Sequence, residues 1–236
     1  MQQIEGQIRK AIEDYNMIEN GDKIAIALSG GKDSTSLLYS LKNMQRYLNI
    51  KYDIIAICIN PGFDGFDEKI IRDMCDEANV ELHLINSHIK QIVFDERKEQ
   101  NPCSLCANLR RGILNSTAKE FGCNKIALGH NEDDVLETFL MNIIYAGRIA
   151  TFSPVSYMDR SKITLIRPLI YLTEKQTKGF VKQRNITIMP KVCPKDGNSS
   201  REFAYKLLKQ LEIKNKQTRA NMIGAIKRAK IDGWKE

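Results

Sequence analysis

The sequence of 236 residues contains no long apolar run; its longest unbroken stretch, Ile54 to Ile59, falls far short of the ~18 residues that span a bilayer. Its opening, Met1-Gln2-Gln3-Ile4-Glu5, lacks the basic-then-apolar layout of a secretory leader. These absences predict a cytoplasmic protein with no membrane partner. Internal repeats, low-complexity tracts and Pro/Gly linkers are missing too, so the expected boundaries are soft: an N-terminal helix over 1–20, an α/β domain over 21–190, and a C-terminal segment over 191–236. Two nucleotide-binding signatures are also absent, the G-x-x-x-x-G-K-[ST] loop and the G-x-G-x-x-G turn. A second C-x-x-C pair, which a four-thiolate zinc site would need, does not occur.

With 42% hydrophobic and 28% charged residues, the chain has enough apolar material for a sizeable core and is too apolar for a disordered one. In a reducing cytosol its six cysteines read as buried thiols, metal ligands or catalysts rather than disulfides. The net charge is +7, and Arg201 to Glu236 holds ten Lys/Arg against four Asp/Glu, so +6 of it lies there. A basic segment on a near-neutral body suits a polyanionic partner such as nucleic acid; the plainer alternative is a solvated helix face.

Apolar residues set the element pattern. Ile4, Ile8, Ala11, Ile12, Tyr15 and Ile18 recur at helical spacing before Gly21. Strands are expected at 23–28, 52–59, 80–85, 125–128 and 163–166. Helices between them carry Leu37, Leu38, Leu41 and Met44, then Ile70, Ile71, Met74 and Ala78, then 105–121 and 132–145. Thr173 and Gln176 form a capping box, and beyond Cys193 the chain reads as helical, with Ser200 as a cap. Strands alternating with helices predict a parallel sheet with helices on both faces, followed by a basic helical segment.

Three motifs carry chemistry. The first is Ser29-Gly30-Gly31-Lys32-Asp33-Ser34, between the first strand and its helix. Two glycines permit a tight turn that exposes successive N–H groups, and the helix start adds positive potential for phosphate. Lys32 neutralises phosphate charge, and Ser34 caps the helix or bonds a phosphate oxygen. The second is Pro102-Cys103-Ser104-Leu105-Cys106, running into Arg110 and Arg111, with Cys193 as the obvious third thiol. Three thiolates suit a [4Fe–4S] cluster with one open iron; a zinc site completed by His130 and a redox or persulfide-carrying pair remain alternatives. Cys58, Cys75 and Cys123 read as buried thiols. The third is Gly129-His130-Asn131-Glu132-Asp133-Asp134, a strand end entering a helix. Gly129 allows close backbone approach to a nucleotide. Asp133 or Asp134 could hold Mg²⁺, or could simply complement the helix dipole.

The first motif resembles the S-G-G-x-D-S signature of the PP-loop pyrophosphatases, whose fold is adenine nucleotide alpha hydrolase-like. Together with the Pro102–Leu114 stretch, the Gly129–Asp134 segment and Ile166-Arg167-Pro168-Leu169, it resembles the tRNA 2-thiocytidine biosynthesis proteins over roughly 24–201. The resemblance implies that Cys103, Cys106 and Cys193 hold a [4Fe–4S] cluster. It places adenine near Ala27 and Ile59, Arg110 or Arg111 near the phosphates or the base, and Asp134 in nucleotide binding and catalysis. One departure is His130-Asn131, where the thiocytidine branch commonly has His-His; His-Asn looks more like the thiouridine branch. The implied activity is ATP-dependent adenylation of the C2 oxygen of a tRNA pyrimidine, cytidine before uridine, and its replacement by sulfur delivered through the cluster, with sulfur from a cysteine desulfurase or free sulfide and with a homodimer possible. Two other readings stand beside it: a PP-loop ligase that adenylates a small molecule, and a non-catalytic RNA-binding protein.

Overall fold

The computed structural model describes residues 2–97, 102–193 and 200–235. Helix α1 (Gln2–Tyr15) buries Ile4, Ile8, Ala11, Ile12 and Tyr15 along one stripe, as their spacing predicts. The βα pattern then follows: β1 (Asp22–Ala27), α2 (Lys32–Met44), β2 (Tyr52–Asn60), α3 (Glu68–Ala78), β3 (Glu81–Asn86), α4 (Pro102–Glu120), β4 (Lys125–Ala127) and α5 (Glu132–Ala146). A π-helical turn at Gln91–Glu96 precedes α4. Beyond α5 come β5 (Val155–Met158), β6 (Ile163–Ile166), α6 (Glu174–Gln183), α7 (Ser200–Lys214) and α8 (Thr218–Arg228). Ser200, read as a cap, is the first residue of α7; the residues just before it lie outside those described.

The sheet has six strands in the order β3-β2-β1-β4-β6-β5. Five run parallel, and β5 pairs antiparallel with β6, so the expected all-parallel sheet carries one reversed edge. Four residues with Tyr157 exposed give no alternation long enough to mark this strand in sequence. Strands β1 and β2 are apolar on both faces because each face is covered. Ile24, Ile26, Ile54, Ala56 and Cys58 join a core with α1, α2, α3 and α5, while Ala25, Ile55 and Ile57 face Leu114 and Ala118 of α4.

The C-terminal helices are part of the larger core. Ala204, Leu208, Ile226 and Trp234 are buried in it, and the indole of Trp234 packs edge-on to Tyr15 while donating to the carbonyl of Phe152. Among the described residues, no helix is long and apolar enough to cross a membrane.

Strand order reverses between β1 and β4, and in an open α/β sheet the crevice at the carboxyl ends of such strands is where ligands gather. The opposite end is closed by a buried ion pair, Lys125 Nζ to Asp22 Oδ2 at 2.8 Å. Asn124 and the Glu19 amide also donate to Asp22, at 2.7 and 2.6 Å. Replacing Lys125 with Met would leave Asp22 buried without its cation. We expect a loss of about 3 kcal/mol in urea-denaturation stability, with nucleotide binding at the far end of the strands unchanged.

Candidate nucleotide and thiol site

The turn after β1 has the shape its glycines predict. Gly30 sits at φ +76°, and Gly31 is the extended residue preceding α2. The hydroxyl of Ser34 accepts from the Ser29 amide at 3.1 Å and lies 3.0 Å from the Ser29 hydroxyl, bracing the loop from inside. Gly31 offers no side chain to the helix start, which leaves that end to an anion. Lys32 Nζ sits 2.9 Å from Asp33 and 3.0 Å from Glu174. Burial works against its charge, but these two carboxylates outweigh it and hold its pKa above the ordinary lysine range.

The second turn, after β4, is pressed against the first. A Cβ on Gly129 would lie 3.0 Å from the Ser34 amide nitrogen and 3.1 Å from the Asp33 carbonyl carbon. The close approach that Gly129 makes possible in this structure is therefore to the backbone of the first turn. Asn131 caps α5 in a reciprocal box with Asp134, and its amide also donates to Asp33 at 3.1 Å. Thr177 of α6 donates to the same Asp33 oxygen. Asp33, Asn131 and Thr177 thus tie three helix starts together.

The two acids of this turn line the same cavity but hold different partners. Asp133 is almost wholly buried: one oxygen accepts from the Glu174 amide at 2.7 Å, and the other pairs with Arg219 of α8. Asp134 faces a cavity of about 280 Å³ shared with Lys32, Lys191 and Arg201, and one of its oxygens pairs with Arg201 of α7. Burial raises the Asp134 pKa, against the opposing Asn131 amide and Arg201. Glu137, one turn further along α5, lies 3.6 Å from Arg201. Arg219, counted among the basic residues of the C-terminal segment, is committed to Glu132, Asp133 and Glu212 rather than to a free surface.

Beside the first turn lies a cavity of about 590 Å³. Ala27 and Ile59 line it, as do Arg110 and Arg111 of α4, together with His130 and Arg167. Four buried polar atoms on this lining have no hydrogen-bond partner: Arg110 Nε, Asn115 Oδ1, His130 Nδ1 and Arg167 Nε. A cavity with apolar walls and unpaired donors and acceptors suits a heteroaromatic base with polar edges. Burial, reinforced by Arg167, Arg201 and Arg111, pushes the His130 pKa down to about 3, so its imidazole is neutral at physiological pH. Burial and Arg111 push Arg167 down to about 10, still cationic at pH 7.

The cysteines line a third cavity, of about 430 Å³, which shares Ser29, Ile59, Ala107 and Arg110 with the second. Cys103, Cys106 and Cys193 all face it. The C-x-x-C pair sits in the first turn of α4 itself, with Pro102 at the helix start, where its missing N–H costs nothing. Burial raises the Cys106 pKa, with Arg110 opposing. Among the described residues, no three His, Cys, Asp or Glu side chains converge on a single ion. A cubane does not require that, because each thiolate meets a different iron, so three thiols around one cavity fit it. His130, the candidate fourth zinc ligand, lines the 590 Å³ cavity and not this one. Cys58, Cys75 and Cys123 are buried, and burial pushes Cys58 and Cys75 up to about 12, as inert thiols require.

Local motifs pointed to most of these residues. Glu137, Arg201, Asn115 and Met189, whose amide donates to the Gly30 carbonyl at 2.8 Å, carry no such signal, because each enters the site through packing between distant elements rather than through a recognisable spacing.

Burial raises the Glu137 pKa from its ordinary 4.5 to about 7, despite Arg201. The folded state therefore favours the protonated form, and the resulting stabilisation is full below about pH 4.5 and lost as the pH rises through about 7. Glu137→Gln should unfold at higher urea than the parent at pH 8, with the difference disappearing by pH 5.

The PP-loop domain family matches residues 1–211. The tRNA-cytidine(32) 2-sulfurtransferase of Syntrophotalea carbinolica is 38% identical over 220 residues, which cover 92% of this chain and 85% of that protein. The protein of the same name from Geobacter metallireducens is 35% identical over 226 residues, covering 94% and 88%. Among solved structures, the U34-tRNA thiolase NcsA from Methanococcus maripaludis with its [4Fe-4S] cluster superimposes with a TM-score of 0.77 at 26% identity, covering 96% of this chain and 78% of that one. The chain belongs to the PP-loop family, within its group of tRNA-cytidine(32) 2-sulfurtransferases.

Proposed function

We propose that this protein is an ATP-dependent tRNA sulfurtransferase that replaces the C2 oxygen of a cytidine with sulfur. The observation that carries the reading is adjacency. An anion-binding turn, a base-sized cavity with unpaired polar atoms, and a cavity with three thiols share Ser29 as a common wall.

A pyrimidine C2 oxygen is a poor leaving group, so it must first be activated. The turn at Ser29–Ser34 would hold the β- and γ-phosphates of ATP, with Lys32 offsetting the charge that develops on them. The base oxygen bonds to the α-phosphorus, the bond to the bridging oxygen breaks, and pyrophosphate leaves. Sulfur at the oxidation level of hydrosulfide then bonds to C2 and gives up its proton. The C2–O bond breaks and AMP departs with the oxygen, with no net redox change. Mg²⁺ bound with the triphosphate would be met by Asp134, whose partner Arg201 is far more exposed and exchangeable than the Arg219 that holds Asp133. Adenine would lie against Ala27 and Ile59, with Arg110 and Arg111 near the reacting groups.

Cys103, Cys106 and Cys193 are the residues that would hold a [4Fe–4S] cluster. When bound, such a cluster supplies one iron without a protein ligand, open to a sulfur species. Sulfur would arrive as free sulfide, or as the persulfide of a cysteine desulfurase after a thiol reductant has released it as hydrosulfide and been oxidised to its disulfide.

The direct test purifies the protein without oxygen and measures iron, acid-labile sulfide, and ATP-dependent formation of 2-thiocytidine in tRNA. About four iron and four sulfide per chain are expected. ATP hydrolysis on a small acid, indifferent to tRNA, would replace the reading with a PP-loop ligase. Two substitutions should separate the two halves of the site. Lys32→Ala lowers adenylation about 10²-fold with iron content unchanged, whereas Cys193→Ser loses iron and thiolation but keeps ATP affinity. A Cys193→Ser protein with full thiolation would remove the three-thiol assignment.

For the tRNA, the exposed cations of α7, α8 and the end of the chain include Lys206, Lys214, Lys216, Arg228 and Lys230. Neutralising all five should weaken tRNA binding and reduce the slope of log K against log salt by at least about two; an unchanged slope would return them to a solvated face.

A further inference from the structure

The α4 wall of the 590 Å³ cavity carries an amide whose two ends are in different situations. Asn115 follows Arg111 by four residues, so helical geometry sets both on one face, and both line the cavity. The Asn115 Nδ2 donates to the Met158 sulfur of β5 at 3.7 Å. Its Oδ1 is buried and meets no donor. A thioether accepts and cannot donate, so turning the amide over would set oxygen against sulfur and abandon that contact. Packing therefore holds the orientation that leaves the oxygen to the cavity.

The other three orphaned atoms on this lining differ in kind. Arg110 Nε and Arg167 Nε can only donate, while His130 Nδ1, on a neutral ring, donates or accepts according to tautomer. Asn115 Oδ1 is the member of the set that can only accept. Each desolvated atom costs free energy until a ligand meets it, so the four together are a template for the ligand's edges. The template calls for ring nitrogens or a carbonyl toward the arginines and an N–H toward Asn115. Adenine and cytosine carry such an N–H as an exocyclic amine, whereas guanine and uracil place a carbonyl oxygen at the same position. An oxygen there would leave two buried acceptors opposed.

We propose that Asn115 is the specificity-determining acceptor for the exocyclic amino group of the base held in this cavity, with Met158 as the positioning residue that keeps its oxygen turned inward. This deepens the reading given above, which lays adenine against Ala27 and Ile59 of the same cavity, and rests on it. On that placement the amine belongs to ATP, and Asn115 selects ATP against nucleotides with a 6-oxo group. A target cytosine in the cavity would offer the same amine, and Asn115 would then select cytidine against uridine.

The test uses the full chain and reads two ratios of dissociation constants, neither of which needs turnover. The first compares ATP with inosine triphosphate, each with Mg²⁺, by calorimetry. The second compares labelled tRNA carrying cytidine or uridine at the target position, by fluorescence anisotropy. The parent should prefer ATP by at least about tenfold, the cost of leaving a buried acceptor unmet. Asn115→Leu keeps the volume and a strong helix former but loses both polar atoms; it should bring that preference under about twofold by weakening ATP. Asn115→Asp retains the acceptor and should retain the preference. Met158→Leu releases the amide to present its NH₂, so affinity for inosine triphosphate should rise about fivefold while that for ATP stays within about twofold, a split that a merely structural role would not produce. Loss of the cytidine preference in Asn115→Leu with the nucleotide ratio unmoved would keep the amine assignment and name the target base as the ligand. Both ratios unchanged in Asn115→Leu would overturn the proposal, as would a parent that shows neither preference. A parent that binds neither nucleotide would refute the ATP reading, and the tRNA ratio would still decide the role of Asn115.

Discussion

The site depends on how closely the turn after β4 approaches the turn after β1. A Cβ at Gly129 would stand about 3 Å from the backbone of Asp33 and Ser34, tighter than side chains ordinarily pack. The contact places Asn131 within reach of Asp33, and Thr177 closes the same oxygen from α6. Three helix starts are thereby aimed into one region. Their dipoles add to a positive potential that no single helix would supply. Carboxylates gather there as a result, and several serve structure rather than chemistry.

Asp133 and Asp134 show how one sequence feature divides into two roles. They are adjacent, both acidic and both in the first turn of α5, where either would complement the dipole. Helical geometry turns them about 100° apart. Asp133 is directed toward α6 and α8, where the Glu174 amide and Arg219 use both its oxygens. Asp134 lines the cavity that holds Lys32, as Asp133 does, and keeps one oxygen on the Asn131 amide. Its partner Arg201 is a side chain almost half exposed to solvent, so this pair can be exchanged at far less cost than the buried Asp133–Arg219 pair.

Legibility in the sequence follows the range of the interaction. The glycine turn, the capping boxes at Asn131 and Thr173, the C-x-x-C pair and the buried stripes of α1 and β2 all depend on neighbours within one or two turns of chain. Their spacing therefore reveals them. Strand β5 is too short for its period to register. Arg219 looked like one more basic residue of a charged segment because its three carboxylate partners lie on α5 and α7. Gly129 was readable as a point of close approach, but whether backbone or nucleotide makes that approach is a tertiary fact. Met189 carries no chemical signal at all: its importance arises from lying across Gly30, at a distance in sequence no motif spans.

The three cavities put these pieces in an order that suits a reaction with two nucleophilic steps. The phosphate turn and the thiol cavity would do independent chemistry if they were merely neighbours. Here they share Ser29 and Gly31 in their walls, and the chain segment that contributes the third thiol is hydrogen-bonded to Gly30. A cysteine carried on a free loop would add its thiolate to the site only by losing conformational entropy on each turnover. Fastening the segment to the turn through Met189 removes part of that loss. The same economy explains the orphaned atoms on the base-sized cavity. Arg110, His130, Asn115 and Arg167 are held apart from one another by packing and by the Phe152 ring, which lies against both His130 and Arg167, so their desolvated atoms remain unpaired until a polar base edge satisfies them. Selectivity for a base would then come from the cost of leaving those atoms unmet, a penalty larger than any single hydrogen bond would gain in water.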